Sequence, residues 1–412
     1  RKNILPFDAS ISPRLVHYNC WEAIYFNHNL HDLKDIATLA VSLGAERFVL
    51  DDGWFGSRND DTSSLGDWDV DKTKFPNGLG PLIKHINEIG MEFGIWFEPE
   101  MISPNSNLYR SHPNWILGDE KQLLGRNQYV LDLNKIEVHN YLFEKISKIL
   151  NENNISYIKW DHNRVLPYPD QNQVKGFYKL LDKLRSFFPH VEIESCSSGG
   201  GRIDYGVLKR THRVWLSDSN DALVRFRMQN NASIWLPSEV VGSHVGPRKC
   251  HTSGRVLNMS LRAWVAASRH MGFEMDPREL NEDETALLKE ITQWYKENRC
   301  WMHKGFSSQL DLSDEAQLGE IQISNDNAKF VSFVVQFEQS KYSSPKPVAL
   351  TGLEANSIYK INLKTPENAA LVSRGKITLR DKELILSGQF LMSQGINLPC
   401  AFPGTIWVIE GI

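Results

Sequence analysis

The sequence has few cysteines, no long apolar run and no excess of charge of one sign. Its five cysteines are widely spaced and odd in number, which fits neither a disulfide framework nor a metal-binding knuckle and favours a reducing compartment. It contains neither a membrane-spanning run nor the apolar segment of a signal peptide, so we expect a cytoplasmic protein without a membrane partner. The formal net charge of -4, with no long Lys or Arg run, disfavours a nucleic-acid partner.

What the sequence does contain is the composition of a globular protein, with 41% hydrophobic and 23% charged residues. Short β-branched and aromatic runs alternate with amphipathic segments up to about residue 300. No Gly-rich phosphate turn follows the first run, so we predict a (β/α)8 TIM barrel rather than an open doubly wound sheet. The predicted strands are residues 15–21, 47–52, 92–99, 156–161, 191–196, 213–218, 238–245 and 271–276.

The pattern changes after about residue 305. Helical periodicity is found before that point, in segments 31–44, 79–90, 137–154, 176–189 and 280–299. Beyond it, short alternating segments separated by Gly, Asn and Pro turns cover residues 329–337, 347–363, 375–388 and 404–412. We therefore predict a catalytic barrel over residues 1–305 and a small C-terminal antiparallel β-sandwich over residues 306–412.

Polar residues directly follow several predicted strands. The carboxyl ends of barrel strands share one face, so these side chains are expected to converge. A single Asp after a strand is often a helix N-cap, an interpretation we keep for Asp132 and Asp170, whereas Asp221 fits either role. The remaining candidates are Asp51 and Asp52, Trp96, Glu98 and Glu100, Lys159 and Asp161, Cys196 to Arg202, and Asp218.

Two ligand classes compete with carbohydrate for these residues. The segment SSGGGR, residues 197–202, is rich enough in glycine to approach a phosphate, but no Walker lysine follows it. The acids together with His162 offer metal ligands, but no H-x-H or H-E-x-x-H pair occurs and the ammonium of Lys159 would repel a cation. We therefore expect no metal and no cofactor.

The aromatic residues favour carbohydrate. A Trp face covers the apolar side of a sugar ring, while carboxylates, Lys and Arg bond its hydroxyls. Alternation along the fourth strand turns Lys159 and Asp161 to one side and Trp160 to the other, towards the helices, so Trp160 is the weakest candidate. The Trp residues at or near strand ends are Trp21, Trp54, Trp96, Trp160 and Trp215.

Glycoside hydrolysis requires two carboxyl groups, and Asp161 and Asp218 form the pair we predict. Lys159 on the same strand face lowers the pKa of Asp161, as suits a nucleophile. Asp218 has no cation adjacent in sequence, so its pKa is free to rise, as suits an acid. The sequence leaves open whether the two are at the retaining or the wider inverting separation.

Several of these segments together resemble glycoside hydrolase family 36, chiefly microbial α-galactosidases. The resemblance covers about residues 13–280. It implies a retaining exo-α-galactosidase with a (β/α)8 barrel and a C-terminal β-sandwich, acting on melibiose- or raffinose-type α-galactoside oligosaccharides. The family's large N-terminal β-sandwich has no counterpart, so we expect the chain to be part of a longer protein. The matching segments are NCWEAIYF, VLDDGWFG, FGIWFEPEMISPNSNLYRSHPNW, QYVLDLN, YIKWDHNR, IESCSSGGGRIDYG and WLSDSNDALVRFRMQ.

The resemblance also assigns roles. By motif, Asp161 is similar to the family's nucleophile and Asp218 to its acid/base, while Asp51 and Asp52 resemble the pair that binds O4 and O6 of galactose. Cys196 and Gly199 fall where the family contacts the sugar near its 2-position. The other pocket residues that the resemblance implies are Trp21, Trp96, Arg126 and Lys159.

Three departures from the commonest family pattern keep alternatives open. They are KWDHN, SDSND and VGPRKCHTSGR, and all three surround the catalytic pair without removing it. An α-N-acetylgalactosaminidase and a raffinose-synthase-like galactosyl transferase share the mechanism, and a non-catalytic carbohydrate-binding protein is the alternative from another class. We also expect a homo-oligomer when the protein is full length.

Overall fold

The computed structural model describes residues 4–8, 12–369 and 378–412, and its strands and helices are as follows. The strands are β1 His17–Asn19, β2 Arg47–Leu50, β3 Glu92–Phe97, β4 Met101–Ile102, β5 Tyr129–Val130, β6 Tyr157–Trp160, β7 Glu192–Ser195, β8 Arg213–Trp215, β9 Val241–Val245, β10 His270–Phe273, β11 Phe306–Leu310, β12 Gln317–Ile323, β13 Phe330–Gln336, β14 Ile358–Leu363, β15 Leu384–Ser387 and β16 Thr405–Gly411. The α-helices are α1 Trp21–Ile24, α2 Leu30–Ser42, α3 Gly80–Glu88, α4 Asn107–Ser111, α5 Ile136–Glu152, α6 Gln171–Phe187, α7 Tyr205–Leu208, α8 Ala222–Ala232, α9 Met259–Ala267, α10 Glu282–Lys304, α11 Thr378–Asp381 and α12 Gly388–Ser393. Short 3-10 helices are found at Pro113–Trp115, Ser238–Val240, Pro277–Glu279 and Pro366–Asn368.

Eight strands close into a parallel barrel in the order β1-β10-β9-β8-β7-β6-β3-β2. Each lies within or overlaps one of the eight predicted strands, so the predicted barrel is confirmed. Between β3 and β6, Trp96 is paired with Lys159, and between β6 and β7, Lys159 is paired with Glu194. Paired residues of neighbouring strands point to the same side of a sheet, so this register sets Trp96 and Lys159 side by side.

By density of contacts the chain divides into two compact units. The first consists mainly of Leu15–Asp218 and Gly272–Asn281, and the second mainly of Ser219–Met271 and Glu282–Ile412. The domain boundary proposed between residues 305 and 306 stays a prediction.

The helices of the first unit bury one face each. In α5 the buried residues Val138, Leu142, Ile146 and Ile149 recur every three to four positions, which is the spacing of one helix face. The loops of the first unit contain the antiparallel pair β4–β5, which sequence periodicity missed because each strand has only two residues.

Two of the proposed helix caps are found and one is not. Asp170 caps α6 by accepting from the backbone N–H of Asn172, and Asp221 caps α8 by accepting from Leu223 and Val224. Asp132 was wrongly predicted as a cap, because its carboxylate instead accepts from the backbone of Asn134, and Lys135 occupies the position before α5.

The second unit contains a six-stranded antiparallel sheet in the order β11-β12-β13-β16-β14-β15, together with α8, α9 and α10. This confirms the predicted antiparallel β-structure at the C-terminus; within the described residues these strands form one sheet. Its core includes Leu350, Tyr359, Ile361, Trp407 and Ile409, all buried. Residues 375–377 of the predicted segment 375–388 lie outside the described residues.

Helices long and apolar enough to cross a bilayer do not occur in the described part of the chain.

Candidate active site

Asp161 immediately follows β6, at the carboxyl end of the barrel. Its Oδ2 accepts hydrogen bonds from the side-chain amide of Asn163 at 2.8 Å and from the indole N–H of Trp96 at 3.2 Å. Its Oδ1 accepts from the backbone N–H of His162 at 2.8 Å. The carboxylate therefore accepts three hydrogen bonds, and only 6% of the residue is exposed.

The charges around Asp161 favour its ionised form. Burial pushes its pKa up, but the charge of Lys159, hydrogen bonds from Cys196 and Asn163, and the charge of Arg126 outweigh that effect, so the pKa lies below its usual value. A buried carboxylate that stays ionised is suited to act as a nucleophile.

Lys159 forms a buried ion pair with Asp51. Its Nζ donates to Oδ2 of Asp51 at 2.8 Å, and the Asn19 side chain donates to the same oxygen at 2.6 Å. Burial alone would lower the pKa of Lys159, but the nearby negative charges, Asp51 foremost, raise it well above its ordinary value. The ammonium is therefore charged and paired with Asp51, and its charge also acts on Asp161.

Asp52 lies next to Asp51 but has its own partner. Arg58 binds it with two parallel hydrogen bonds, Nε to Oδ1 at 3.0 Å and Nη2 to Oδ2 at 2.9 Å. Lys74 fixes this loop by donating to the carbonyls of Phe26, Gly53 and Arg58. Burial nevertheless raises the pKa of Asp52, against the charge of Arg58.

Asp218 lies three residues after the end of β8 and is an exposed residue. Its Oδ1 accepts from the indole N–H of Trp215 at 3.0 Å. Desolvation and then the negative charge of Asp161 raise its pKa, against the lowering effects of Lys159 and Trp215. The pKa of Asp218 is thus raised and that of Asp161 lowered, the directions expected of an acid and of a nucleophile.

The loop after β7 supports the segment that carries Asp218. Gly199 has φ +83°, and a Cβ there would lie 2.5 Å from Cα of Ser217. The backbone N–H of Gly200 donates to the carbonyl of Leu216 at 2.9 Å. The glycines of SSGGGR therefore allow two backbone segments to lie against each other, which explains them without a phosphate.

Three further predicted residues lie around the nucleophile. Cys196 is buried, hydrogen-bonds to Asp161, and has a pKa raised well above its ordinary value by burial and by the charge of Asp161. Trp96 contacts Asp161 through its indole N–H and is almost fully buried. Arg126 has φ 51° and is about a third exposed. Burial lowers its pKa, but the negative charges of Glu98, Asp161 and Asp52 outweigh burial, so the pKa lies above its ordinary value.

The other Trp residues differ in burial and in what they pack against. Trp21, in α1, is half-buried and packs edge-on against Tyr25 and Phe26. Trp54 is fully buried and donates to the carbonyl of Trp96. Trp160 points to the helix layer as expected, where it packs against Phe177 of α6 and donates to Glu100.

Four residues that sequence reasoning did not assign complete the network. They form hydrogen bonds with the predicted residues or with their neighbours and do not form a separate site. Of the four, the sequence analysis named only Glu98, as one of several acids at strand ends. The signal available for Asn163 was its position two residues after Asp161. The four are Asn19, Arg58, Glu98 and Asn163.

A cavity of about 540 Å³ lies beside this network and shares Asn163 and Ser198 with it. It is lined by the residues after Asp161, by the start of α6 and by the loop after β7. His162 lines it next to the ion pair of Glu100 and Arg202, and burial lowers the pKa of His162. Groups of His, Cys, Asp and Glu arranged to hold a metal ion are not found in the ranges that the structure describes.

The fold and this site together define a class: (β/α)8-barrel proteins whose strand ends carry an ionised carboxylate and a second carboxyl of raised pKa, as glycoside hydrolysis requires. Residues 1–305 match the melibiase family model, and residues 321–406 match the glycosyl hydrolase family 36 C-terminal domain. The chain belongs to the melibiase family, with a family 36 C-terminal domain.

Individual relatives agree with this assignment. An alpha-galactosidase of Escherichia coli is 42% identical over 405 residues, covering 95% of this chain and 57% of the relative. The galactosidase domain of the alpha-galactosidase-sucrose kinase AgaSK superimposes with a TM-score of 0.90 at 32% identity, over 99% of this chain and 56% of that one. A variant of alpha-galactosidase AgaA from Geobacillus stearothermophilus in complex with raffinose has a TM-score of 0.85 at 34% identity, over 97% and 55%. The chain thus spans about half the length of the curated relatives it matches.

Proposed function

We propose that this chain is the catalytic part of a retaining exo-α-galactosidase that removes terminal α-galactosyl residues from melibiose- or raffinose-type sugars. The observation that carries the proposal is the position of Asp161 and Asp218 after strands β6 and β8 of the barrel, with the pKa of Asp161 lowered and that of Asp218 raised. Family membership and the raffinose complex of AgaA support the substrate class.

Two steps assign the work to the two aspartates. In the first, the Asp161 carboxylate attacks the anomeric carbon while Asp218 gives its proton to the glycosidic oxygen, so the C–O bond to the leaving sugar breaks and a glycosyl ester forms. In the second, Asp218 takes a proton from water as that water attacks the same carbon, and Asp161 leaves as a carboxylate. The raised pKa of Asp218 suits a group that carries the proton before the first step.

The remaining pocket residues are proposed to hold galactose. Asp51 and Asp52 would bind the O4 and O6 hydroxyls, since both are buried and already fixed by Lys159 and Arg58. Arg126, Trp21 and Trp96 would line the sugar. Cys196 and Gly199 would lie near the 2-position. There the space left by the buried thiol and by the backbone close to Gly199 would decide whether a hydroxyl or an acetamido group fits.

The test is turnover of nitrophenyl α-galactoside compared with its acetamido analogue. We expect release of nitrophenol from the first and much slower release from the second, with proton NMR showing α-galactose as the first product. Preference for the acetamido substrate would indicate an α-N-acetylgalactosaminidase, and trisaccharide formation with sucrose as acceptor would indicate a transferase. Binding of galactose without any turnover would indicate a carbohydrate-binding protein.

We also propose a cytoplasmic protein that is a homo-oligomer at full length and binds no nucleic acid. The five cysteines are free thiols, which supports a reducing compartment. Light scattering after size-exclusion chromatography of the full-length protein tests the oligomer, and a monomer at micromolar concentration would contradict it.

A further inference from the structure

Glu98 is a fully buried acid beside the nucleophile that the mechanism above does not use. It follows β3 directly, and 0% of its surface is exposed. Its Oε1 accepts hydrogen bonds from the backbone N–H of Asn163 at 2.5 Å and from the side chain of Gln128 at 2.7 Å. We propose that Glu98 is a positioning residue for Asp161 and that it acts as a neutral acid, an inference that rests on the proposed function.

The first support is a chain of contacts from Glu98 to the nucleophile. Glu98 fixes the backbone of Asn163, and the side-chain amide of Asn163 donates to Oδ2 of Asp161 at 2.8 Å. The hydroxyl of Ser198 donates to Oδ1 of Asn163 at 3.2 Å, which orients the amide so that its N–H group faces Asp161. Both ends of Asn163 are therefore held, and Glu98 holds the backbone end.

The second support is the charge balance. The charged groups that face Glu98 are Asp161, after β6, and Arg126, in the loop before β5. Burial and then the negative charge of Asp161 raise the pKa of Glu98 to about 8, against the effects of Arg126 and the Asn163 hydrogen bonds. Two adjacent buried anions are unfavourable, so an ionised Asp161 favours a neutral Glu98 at neutral pH.

Ionisation of Glu98 would act on one step in particular. In the second step Asp161 leaves the sugar and regains its negative charge, which a second anion beside it opposes. Asp218 acts there as a base and is needed without its proton, so it causes no loss of rate at high pH. An alkaline loss of kcat on a substrate limited by this step is therefore not due to Asp218, and its absence in a Glu98 variant would assign it to Glu98.

The experiment compares Glu98→Gln with wild type on a nitrophenyl galactoside whose good leaving group makes the second step limiting. Wild-type kcat should fall at alkaline pH as Glu98 ionises, and the Gln variant should keep its kcat to higher pH because its amide cannot ionise. Glu98→Ala leaves the Asn163 N–H without an acceptor, so kcat should fall by about 10- to 100-fold with little change in KM. An unchanged alkaline limb in the Gln variant overturns the proposal, whether or not the Ala variant folds.

A second readout separates this inference from the proposed function. The infrared difference spectrum of wild type minus Glu98→Gln at pH 6 should show the carbonyl band of a protonated carboxylic acid. Glu100→Gln is the matched control. Glu100 is also buried, but it accepts hydrogen bonds from Arg202 and Trp160. Burial raises its pKa, but the charge of Arg202 outweighs burial, so the pKa lies below its usual value. Its difference spectrum should lack that band. If wild type cleaves no α-galactoside, the proposed function fails while the band still tests Glu98; absence of the band overturns the inference alone.

Discussion

Replacing Lys159 by Met tests the electrostatic basis of the site. The lysine and Asp51 form a buried pair at 2.8 Å, with side chains 8% and 3% exposed. Removing one partner of such a pair leaves an uncompensated buried charge, which costs about 3–5 kcal/mol of unfolding free energy. We therefore expect Lys159→Met to be destabilised by that amount in a urea titration at pH 7.

The same change should move the acid limb of activity. The pKa of Asp161 is depressed in the folded protein, so its ionisation contributes stability above its unfolded pKa, and that contribution is lost as pH falls through the folded pKa. Without Lys159 the pKa of Asp161 rises, so the acid limb of kcat/KM should shift to higher pH. An acid limb at the wild-type position in a folded Met variant would refute the assignment of Lys159 as the cation that keeps Asp161 ionised.

Lys84→Met is the matched control. Lys84 lies on α3, is 76% exposed and pairs with Glu88 at 3.7 Å. Exposed pairs of this kind contribute about 0–1 kcal/mol, so this variant should keep its unfolding free energy to within that range and keep its pH profile.

Three further substitutions test individual roles. Asp161→Ala should lose about 10⁴-fold or more of kcat, and azide should partly restore turnover to give the β-galactosyl azide; formation of the α-azide would instead mark Asp161 as the acid/base. Asp218→Ala should retain far more activity on nitrophenyl galactosides than on melibiose, since only the poor leaving group needs a proton, and equal losses on both would argue against its role as acid. Gly199→Ala should cost roughly 1–3 kcal/mol in a urea titration and lower kcat, because its Cβ would displace Ser217 and with it Asp218; wild-type values for both would contradict the close approach.

The barrel was predictable because its strands are short apolar runs that stop abruptly at polar residues. Strand alternation also placed Lys159 and Asp161 on one side and Trp160 on the other, without any knowledge of tertiary contacts. By contrast, α8 was missed because its buried face includes Arg225 and Gln229, so its apolar residues do not repeat at helical spacing.

The supporting residues of the site were not predictable for a different reason. Glu98 and Glu100 stand two positions apart, and strand alternation would set them on one face. However, β3 ends at Phe97, so Glu98 turns to Asn163 while Glu100 turns to Trp160 and Arg202. The pairing of Asp52 with Arg58 likewise depends on the path of a loop that has no periodic pattern.

The protonation of Cys196 bears on the chemical durability of the pocket. A thiolate beside Asp161 would be a second candidate to attack an electrophilic carbon, and thiolates are also the form that alkylating agents and peroxides attack. Because burial and the charge of Asp161 hold the pKa of this thiol well above its ordinary value, the sulfur remains a poor nucleophile and a hydrogen-bond donor. The exposed Cys300 is instead the thiol that reagents can reach first.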